Sequence, residues 1–224
     1  LFTTHPAQLN LMLTIYDNGS NDDMSGLLAY AARHAIDVVP SGLPLDAPVG
    51  NSHGEILYRV VRDVPDCTHY LFLDADVCFL TPNTLLTLLE ELEQAPHTFG
   101  IMPRLSADGV TEIPEEYHGI YAARLHPCCA LVKNTAVFRR VAAGVGFSCV
   151  NYLWAEREEY LDTFELMTRV MATHGLGYHR STALVLHFFG VSWDKDQAIT
   201  EQKAAHCQRR LDALRVQDIA SIAL

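Results

Sequence analysis

Positive charge is scarce in this 224-residue chain: 16 Lys and Arg stand against 27 Asp and Glu, a formal net charge of −11. A groove that tracks a phosphate backbone needs the opposite balance, which argues against general nucleic-acid binding. Long apolar runs are also missing. The longest nearly uncharged stretch, Val141 to Val150, falls well short of the roughly 20 residues that span a bilayer, so no transmembrane segment is expected. The sequence opens on Leu1 and displays no secretory leader, internal repeat, low-complexity tract or block of like charge. Its six cysteines (Cys67, Cys78, Cys128, Cys129, Cys149 and Cys207) form no Cys-x-x-Cys pair, and adjacent Cys128 and Cys129 fit no common zinc pattern. They read as free, mostly buried thiols, and so as a protein of a reducing compartment, the cytoplasm.

What is present is enough for a folded globule. Hydrophobic residues make up 49% and charged residues 19%, which excludes a disordered chain. The length suits one large domain and needs no disulfide or metal merely to fold. Short apolar strands alternate with helical patterns. Leu11 to Tyr16 reads as a strand closed by Asp17-Asn18-Gly19-Ser20, a turn signal. Helices are expected over 25–34, with Leu27, Leu28 and Ala31 on one face, and over 52–64. Strands are expected over 36–39, 70–73 and 98–102, and Thr81-Pro82 reads as the cap and first residue of another helix. After Pro103 the pattern loosens. A strand near 130–132, a helix over 135–143, an amphipathic helix over 161–174, a strand over 183–189 and a helical tail from 196 complete the reading. Such alternation implies βαβ units and an α/β fold with a mostly parallel central sheet flanked by helices. One continuous domain is expected, with a nucleotide-binding half over about 10–102, an acceptor half over about 103–195 and the tail over 196–224.

The strongest chemical feature is Tyr70-Leu71-Phe72-Leu73-Asp74-Ala75-Asp76. A buried strand delivers two carboxylates at its carboxyl end, the edge where ligands bind in open α/β sheets. In an extended chain Asp74 and Asp76 point the same way and Ala75 the other. Two hard oxygen donors suit Mg²⁺ or Mn²⁺, which keeps its remaining positions for phosphate oxygens and water. A surface turn with two solvated acids is the alternative. Asp17-Asn18-Gly19-Ser20, again at a strand end, offers a carboxylate to a base or ribose, or is an ordinary strand-to-helix turn. His187, in His187-Phe188-Phe189-Gly190-Val191-Ser192-Trp193, is either a packed core residue or a further Mn²⁺ ligand.

With these motifs in order, together with Gly50-Asn51-Ser52-His53-Gly54, the sequence over 10–193 resembles the GT-A-fold glycosyltransferases, above all the family 2 type. Leu161-Asp162-Thr163 resembles that family's acidic-Asp-Thr segment, and His187-Phe188-Phe189-Gly190 its His-Phe-x-Gly element. The resemblance implies a Rossmann-like GT-A fold and transfer of a sugar from a nucleotide diphosphate sugar to an unidentified acceptor hydroxyl. Asp17, Asn18, Ser20, Asn51, Gly54, Asp74 and Ala75 would line the donor, and Asp74, Asp76 and His187 would hold the metal. Asp162 would be the general base of an inverting transfer, with Glu159 in reserve, or is a plain helix N-cap. Trp154 either stacks on a sugar face or is a packed core residue. Leu161 replaces the acid that usually precedes the Asp-Thr pair, which leaves a retaining enzyme open. The family's usual first strand is hardly visible in Leu1 to Asn10, which has Pro6 in its middle.

Two other readings compete. A strand followed by Asp-x-Asp also resembles haloacid-dehalogenase phosphatases, with Asp74 as nucleophile and Lys133 as the available lysine, although Cys78 stands where that family has Thr or Val. A non-catalytic module binding a nucleotide or sugar would use the same scaffold.

Overall fold

The structure is a computed structural model and describes residues 9–20, 23–43, 49–80, 83–107, 111–113, 124–154 and 156–188, with 198, 201–202, 204–206, 208–209 and 212 in the tail. At 49–52, 154 and 157 it describes the backbone alone. In chain order the elements are β1 (Thr14–Asp17), α1 (Ser25–Arg33), β2 (Asp37–Pro40), α2 (Val49–Asp63), β3 (His69–Leu73), β4 (Val77–Phe79), α3 (Thr84–Glu93), β5 (Thr98–Ser106), β6 (Cys129–Lys133), α4 (Ala136–Val145), β7 (Val150–Trp154), β8 (Arg157–Leu161), α5 (Glu165–Thr173) and β9 (Gly177–His187). The described residues of the tail are helical.

The α/β class holds, but the central sheet is mixed, not mostly parallel. Its order is β3-β6-β5-β9-β4. Only β5 and β9 run parallel; β3–β6, β5–β6 and β4–β9 are antiparallel. A helix between two strands permits a parallel crossover without making those strands neighbours, and β3 takes its partner from the later β6. The expected βαβ unit does occur in β1-α1-β2, whose strands pair in parallel as a separate two-stranded sheet. β7 and β8 form an antiparallel hairpin.

Periodicity explains the helices. In α2, Gly54, Leu57 and Val61 are buried, the i, i+3, i+7 stripe of an amphipathic helix. In α3, Leu85, Leu88 and Leu92 are buried, and in α4 Phe138, Val141 and Ala142. Thr135 caps α4 by accepting the Phe138 N–H at 3.1 Å. Four expectations need correction. The helix expected over 161–174 starts only at Glu165, because Leu161 is the last residue of β8 and pairs with Val150. Leu28 of α1 is exposed, and only Ala31 of that helix is buried. Helix α3 is described from Thr84 with Asn83 as its cap, and Thr81 and Pro82 lie outside the described residues. β5 continues through Pro103 to Ser106, because Pro103 falls at a register shift between Met102 and Arg104 where the ladder needs no N–H.

The core is aromatic along one line. Phe147 stacks on Phe164 at 4.5 Å between ring centroids, and Phe72 of β3 meets both rings edge-on or tilted at 5.5 and 6.1 Å. This packing fixes the last residues of β3, from which the site grows.

Candidate metal and donor site

β3 and β4 form the two ends of the sheet order, yet only residues 74–76 join them. β4 pairs with the last three residues of β9, Val185 to His187. Both ends of the turn are anchored. The Asp74 N–H donates to the Cys128 carbonyl at 2.8 Å, and the Phe188 N–H donates to the Asp76 carbonyl at 2.9 Å. Val77 lies opposite His187 in the ladder, so pairing alone carries His187 to the Asp76 side of the turn.

Asp74, Asp76 and His187 converge: each offers a ligand atom, and those atoms lie within 4.8 Å of one another. His187 Nε2 stands 3.3 Å from Asp76 Oδ1. The imidazole is buried and the carboxylates half-buried, with side-chain exposures of 7%, 29% and 30% for His187, Asp76 and Asp74. Two carboxylate oxygens and one imidazole nitrogen form a donor set that fits Mn²⁺ or Mg²⁺, and roughly three of six octahedral positions remain open toward solvent. Ala75, between the two acids, is exposed.

Two further histidines stand at the site. His53 of α2 places Nε2 3.3 Å from Asp74 Oδ1. His126 is buried with its ring 5.8 Å from that of His187, and its Nδ1 accepts the Cys128 N–H at 3.2 Å. Sequence reasoning gave neither a role. His53 lay inside a quoted motif, which was the available signal, whereas no pattern marks His126 before β6 is paired. Burial, with the negative charge of Asp74 and Asp76 nearby, pushes the Cys128 thiol well above its ordinary value and that of Cys129 to about 12, so both are packed, protonated thiols.

The Asp17-Ser20 turn is self-contained. Asp17 Oδ1 accepts the Ser20 N–H at 3.0 Å, Gly19 takes a φ of 83°, and the hydrogen bonds from Ser20 hold the Asp17 carboxyl below its ordinary range. Asn18 Oδ1 accepts the Ser41 hydroxyl at 2.9 Å, and the Ser41 carbonyl accepts Arg59 Nη1 of α2. Helix α2 therefore touches the Asp17 side through Arg59 and the Asp74 side through His53. Gly54 has a packing reason to be glycine: a Cβ there would lie 2.4 Å from Ser148 Cα and N and 2.6 Å from Phe147 C. Asn51 sits on α2 with its side chain outside the description.

Asp162 and Glu159, the residues expected on the acceptor side, both carry partners. Asp162 and Thr163 precede α5, which is capped by Phe164 at a φ of 70°. Asp162 Oδ2 lies 2.7 Å from Arg124 Nη2, and Asp162 Oδ1 accepts the Thr163 N–H at 2.7 Å. The Arg124 side chain is 2% exposed. Glu159, on β8, accepts the Tyr152 hydroxyl at 2.6 Å and pairs with Arg169 Nη1 at 2.8 Å; those contacts hold its carboxyl below the ordinary range. It is therefore a weakened proton acceptor. Trp154 ends β7, its side chain outside the description. The Phe189 to Trp193 part of the His187 motif also lies outside the described residues.

Among the described residues no helix is long and apolar enough to cross a membrane. The sequence matches no protein-family model and no curated protein. The chain is similar to solved structures of glucosyl-3-phosphoglycerate synthase from Mycobacterium tuberculosis. Against the complex with phosphoglyceric acid the identity is 16% and the TM-score 0.43, over 76% of this chain and 60% of that one. Against the complex with Mn²⁺ and UDP-glucose the values are 14% and 0.47, over 92% and 67%. Against the complex with Mg²⁺ and UDP they are 16% and 0.46, over 78% and 59%. This chain thus spans about 60% of the length of the first of these structures.

Proposed function

We propose that this chain is a divalent-metal-assisted glycosyltransferase that takes a nucleotide diphosphate sugar as donor and passes the sugar to an acceptor hydroxyl. The observation that carries the reading is the convergence of Asp74, Asp76 and His187 within 4.8 Å at the end of β3. The sequence resemblance over 10–193 supplies the reaction class. Asp74, Asp76 and His187 would hold Mn²⁺ or Mg²⁺, which supplies positive charge against the departing nucleoside diphosphate. Asp17, Asn18 and Ser20, with the residues of α2 that face them, form the base and ribose side, and 10–102 is the donor half. Free, part-buried or buried thiols at Cys67, Cys78, Cys128, Cys129 and Cys149 accord with a reducing compartment such as the cytoplasm.

Asp162 is the base assigned to an inverting transfer. An acceptor hydroxyl approaching its Oδ2 competes with Arg124 for that oxygen. Arg124 would orient the carboxylate, much as a third group orients the base in other acid–base sites. The phosphatase alternative loses its lysine. Lys133 pairs with His69, five residues before Asp74 and about 16 Å from it along the strand. Its Nζ donates to the Ala95 carbonyl at 3.3 Å.

The test is thermal denaturation with UDP or GDP and Mn²⁺ or Mg²⁺. Metal and nucleotide together should raise the melting temperature by binding the native state, and Asp76→Ala should remove the rise. A wild-type protein that shows no shift with any nucleoside diphosphate and metal would refute the assignment.

A further inference from the structure

Asp74 has a polar neighbour that the three-residue cluster does not use. His53 Nε2 lies 3.3 Å from Asp74 Oδ1. Among the described residues, the ligand atoms mutually within 4.8 Å come from Asp74, Asp76 and His187, and His53 is outside that group. Its side chain is 37% exposed, at the rim, whereas His187 is buried beneath.

The position of His53 is fixed from both sides. The next residue, Gly54, lets α2 close onto the backbone of Phe147 and Ser148, where a Cβ would lie 2.4 Å from Ser148. Leu57 and Val61 seat the same helix in the core, and Arg59 ties it to the Ser41 carbonyl. The imidazole is thus presented to Asp74 by a helix with little freedom to slide. We propose that His53 is a positioning residue of the metal centre: it holds one oxygen of Asp74 so that the carboxylate is pre-set for the ion, without being a ligand itself. Partners that fix ligating side chains in this way commonly control metal affinity. The inference rests on the reading of Asp74, Asp76 and His187 as ligands.

The experiment titrates the metal-free full chain with Mn²⁺ alone, by calorimetry and by Mn²⁺ electron paramagnetic resonance. Wild type, Asp76→Ala, His53→Ala, His53→Gln and His53→Asn are compared, with the metal-free melting temperature of each. Wild type should bind, and D76A should not. H53A should bind roughly 10–100-fold more weakly, with a metal-free melting temperature close to wild type. H53Q, whose amide N–H₂ reaches where Nε2 stood, should recover most of the affinity, and the shorter H53N should not. Wild-type affinity in H53A, with binding lost in D76A, would overturn the role of His53 and leave the metal reading standing. Should H53A fail to fold, equal affinities in stable H53Q and H53N overturn it as well. A wild-type chain that does not bind Mn²⁺ overturns both.

Discussion

Asp76 faces His187 through its side chain, and its carbonyl is tied to the backbone of the residue that follows His187. The Phe188 N–H donates to the Asp76 carbonyl at 2.9 Å, and His187 Nε2 stands 3.3 Å from Asp76 Oδ1. Because Val77 pairs with His187 in the β4–β9 ladder, the sheet itself sets the distance between the two side chains. A rigid ladder is a precise support for a ligand set, more so than a loop.

That geometry predicts the behaviour of His187 variants. His187→Ala should lose Mn²⁺ affinity by at least tenfold, and His187→Gln should retain the metal-free melting temperature better than His187→Ala because the imidazole is buried. Calorimetric titration with Mn²⁺, paired with a metal-free melt, measures both.

The Arg124–Asp162 pair separates structural from catalytic loss. Arg124 is buried, so Asp162→Ala leaves its charge without that partner and should destabilise the fold by about 3 kcal/mol or more. Asp162→Asn keeps an acceptor for Arg124 and should cost less. If Asp162 is the base, Asp162→Asn should cut kcat by two or more orders of magnitude, with the donor KM little changed. A kcat close to wild type in D162N would point to a retaining reaction or another base.

Gly54 tests the seating of α2. A methyl group there meets backbone atoms at 2.4–2.6 Å, which cannot rotate away as a side chain could. Gly54→Ala should therefore destabilise the protein by about 1–3 kcal/mol, read as a lower urea midpoint. An unchanged midpoint would mean that α2 and the Phe147–Ser148 segment can part without cost.

The hairpin contact between Tyr152 and Glu159 gives a pH signature at both ends of the scale. The Tyr152 hydroxyl and Arg169 hold the Glu159 carboxyl below its ordinary range. That contribution is present above the unfolded value near 4.5 and is lost as pH falls through the lower folded value. Glu159, in turn, raises the Tyr152 phenol. Its contribution is full below the unfolded value of 10.0 and fades as pH rises through the higher folded value. Tyr152→Phe should weaken the acid dependence and abolish the alkaline one, measured as melting temperature against pH.

Thiol reactivity should divide by burial. Cys128 and Cys129 are fully buried with raised thiol values, whereas Cys67, Cys78 and Cys149 are partly exposed. Iodoacetamide at pH 8 should leave the first two unmodified in the native protein and label them only after denaturation, as peptide mass spectrometry would show.

Apolar periodicity made α2, β3 and α4 readable, because each writes its burial into its own sequence. Other elements had no such signature. β4 is three residues long, too short to show alternation. The β7–β8 hairpin turns at Glu156, which takes a φ of 65° where a glycine or asparagine would have announced the turn. The first half of β9 alternates between exposed and half-buried polar residues, so only its apolar end from Ala183 was visible. The sheet was expected to be mostly parallel because helices alternate with strands, yet β6 pairs antiparallel with both β3 and β5, and alternation does not say which strands become neighbours.

The sequence by itself determined the candidate ligands: two carboxylates one residue apart at a strand end, and a histidine at the end of a later apolar strand. Local chemistry and chain order suffice for that, since an apolar run that stops at charged residues must surface there. Tertiary structure decided everything that depends on partners distant along the chain. The β4–β9 ladder brought His187 to Asp76, the bare backbone at Gly54 let α2 carry His53 to Asp74, and Arg124 claimed Asp162. Hydrogen-bond registry and close packing between remote segments leave no mark on either segment alone, so only the folded chain could reveal them.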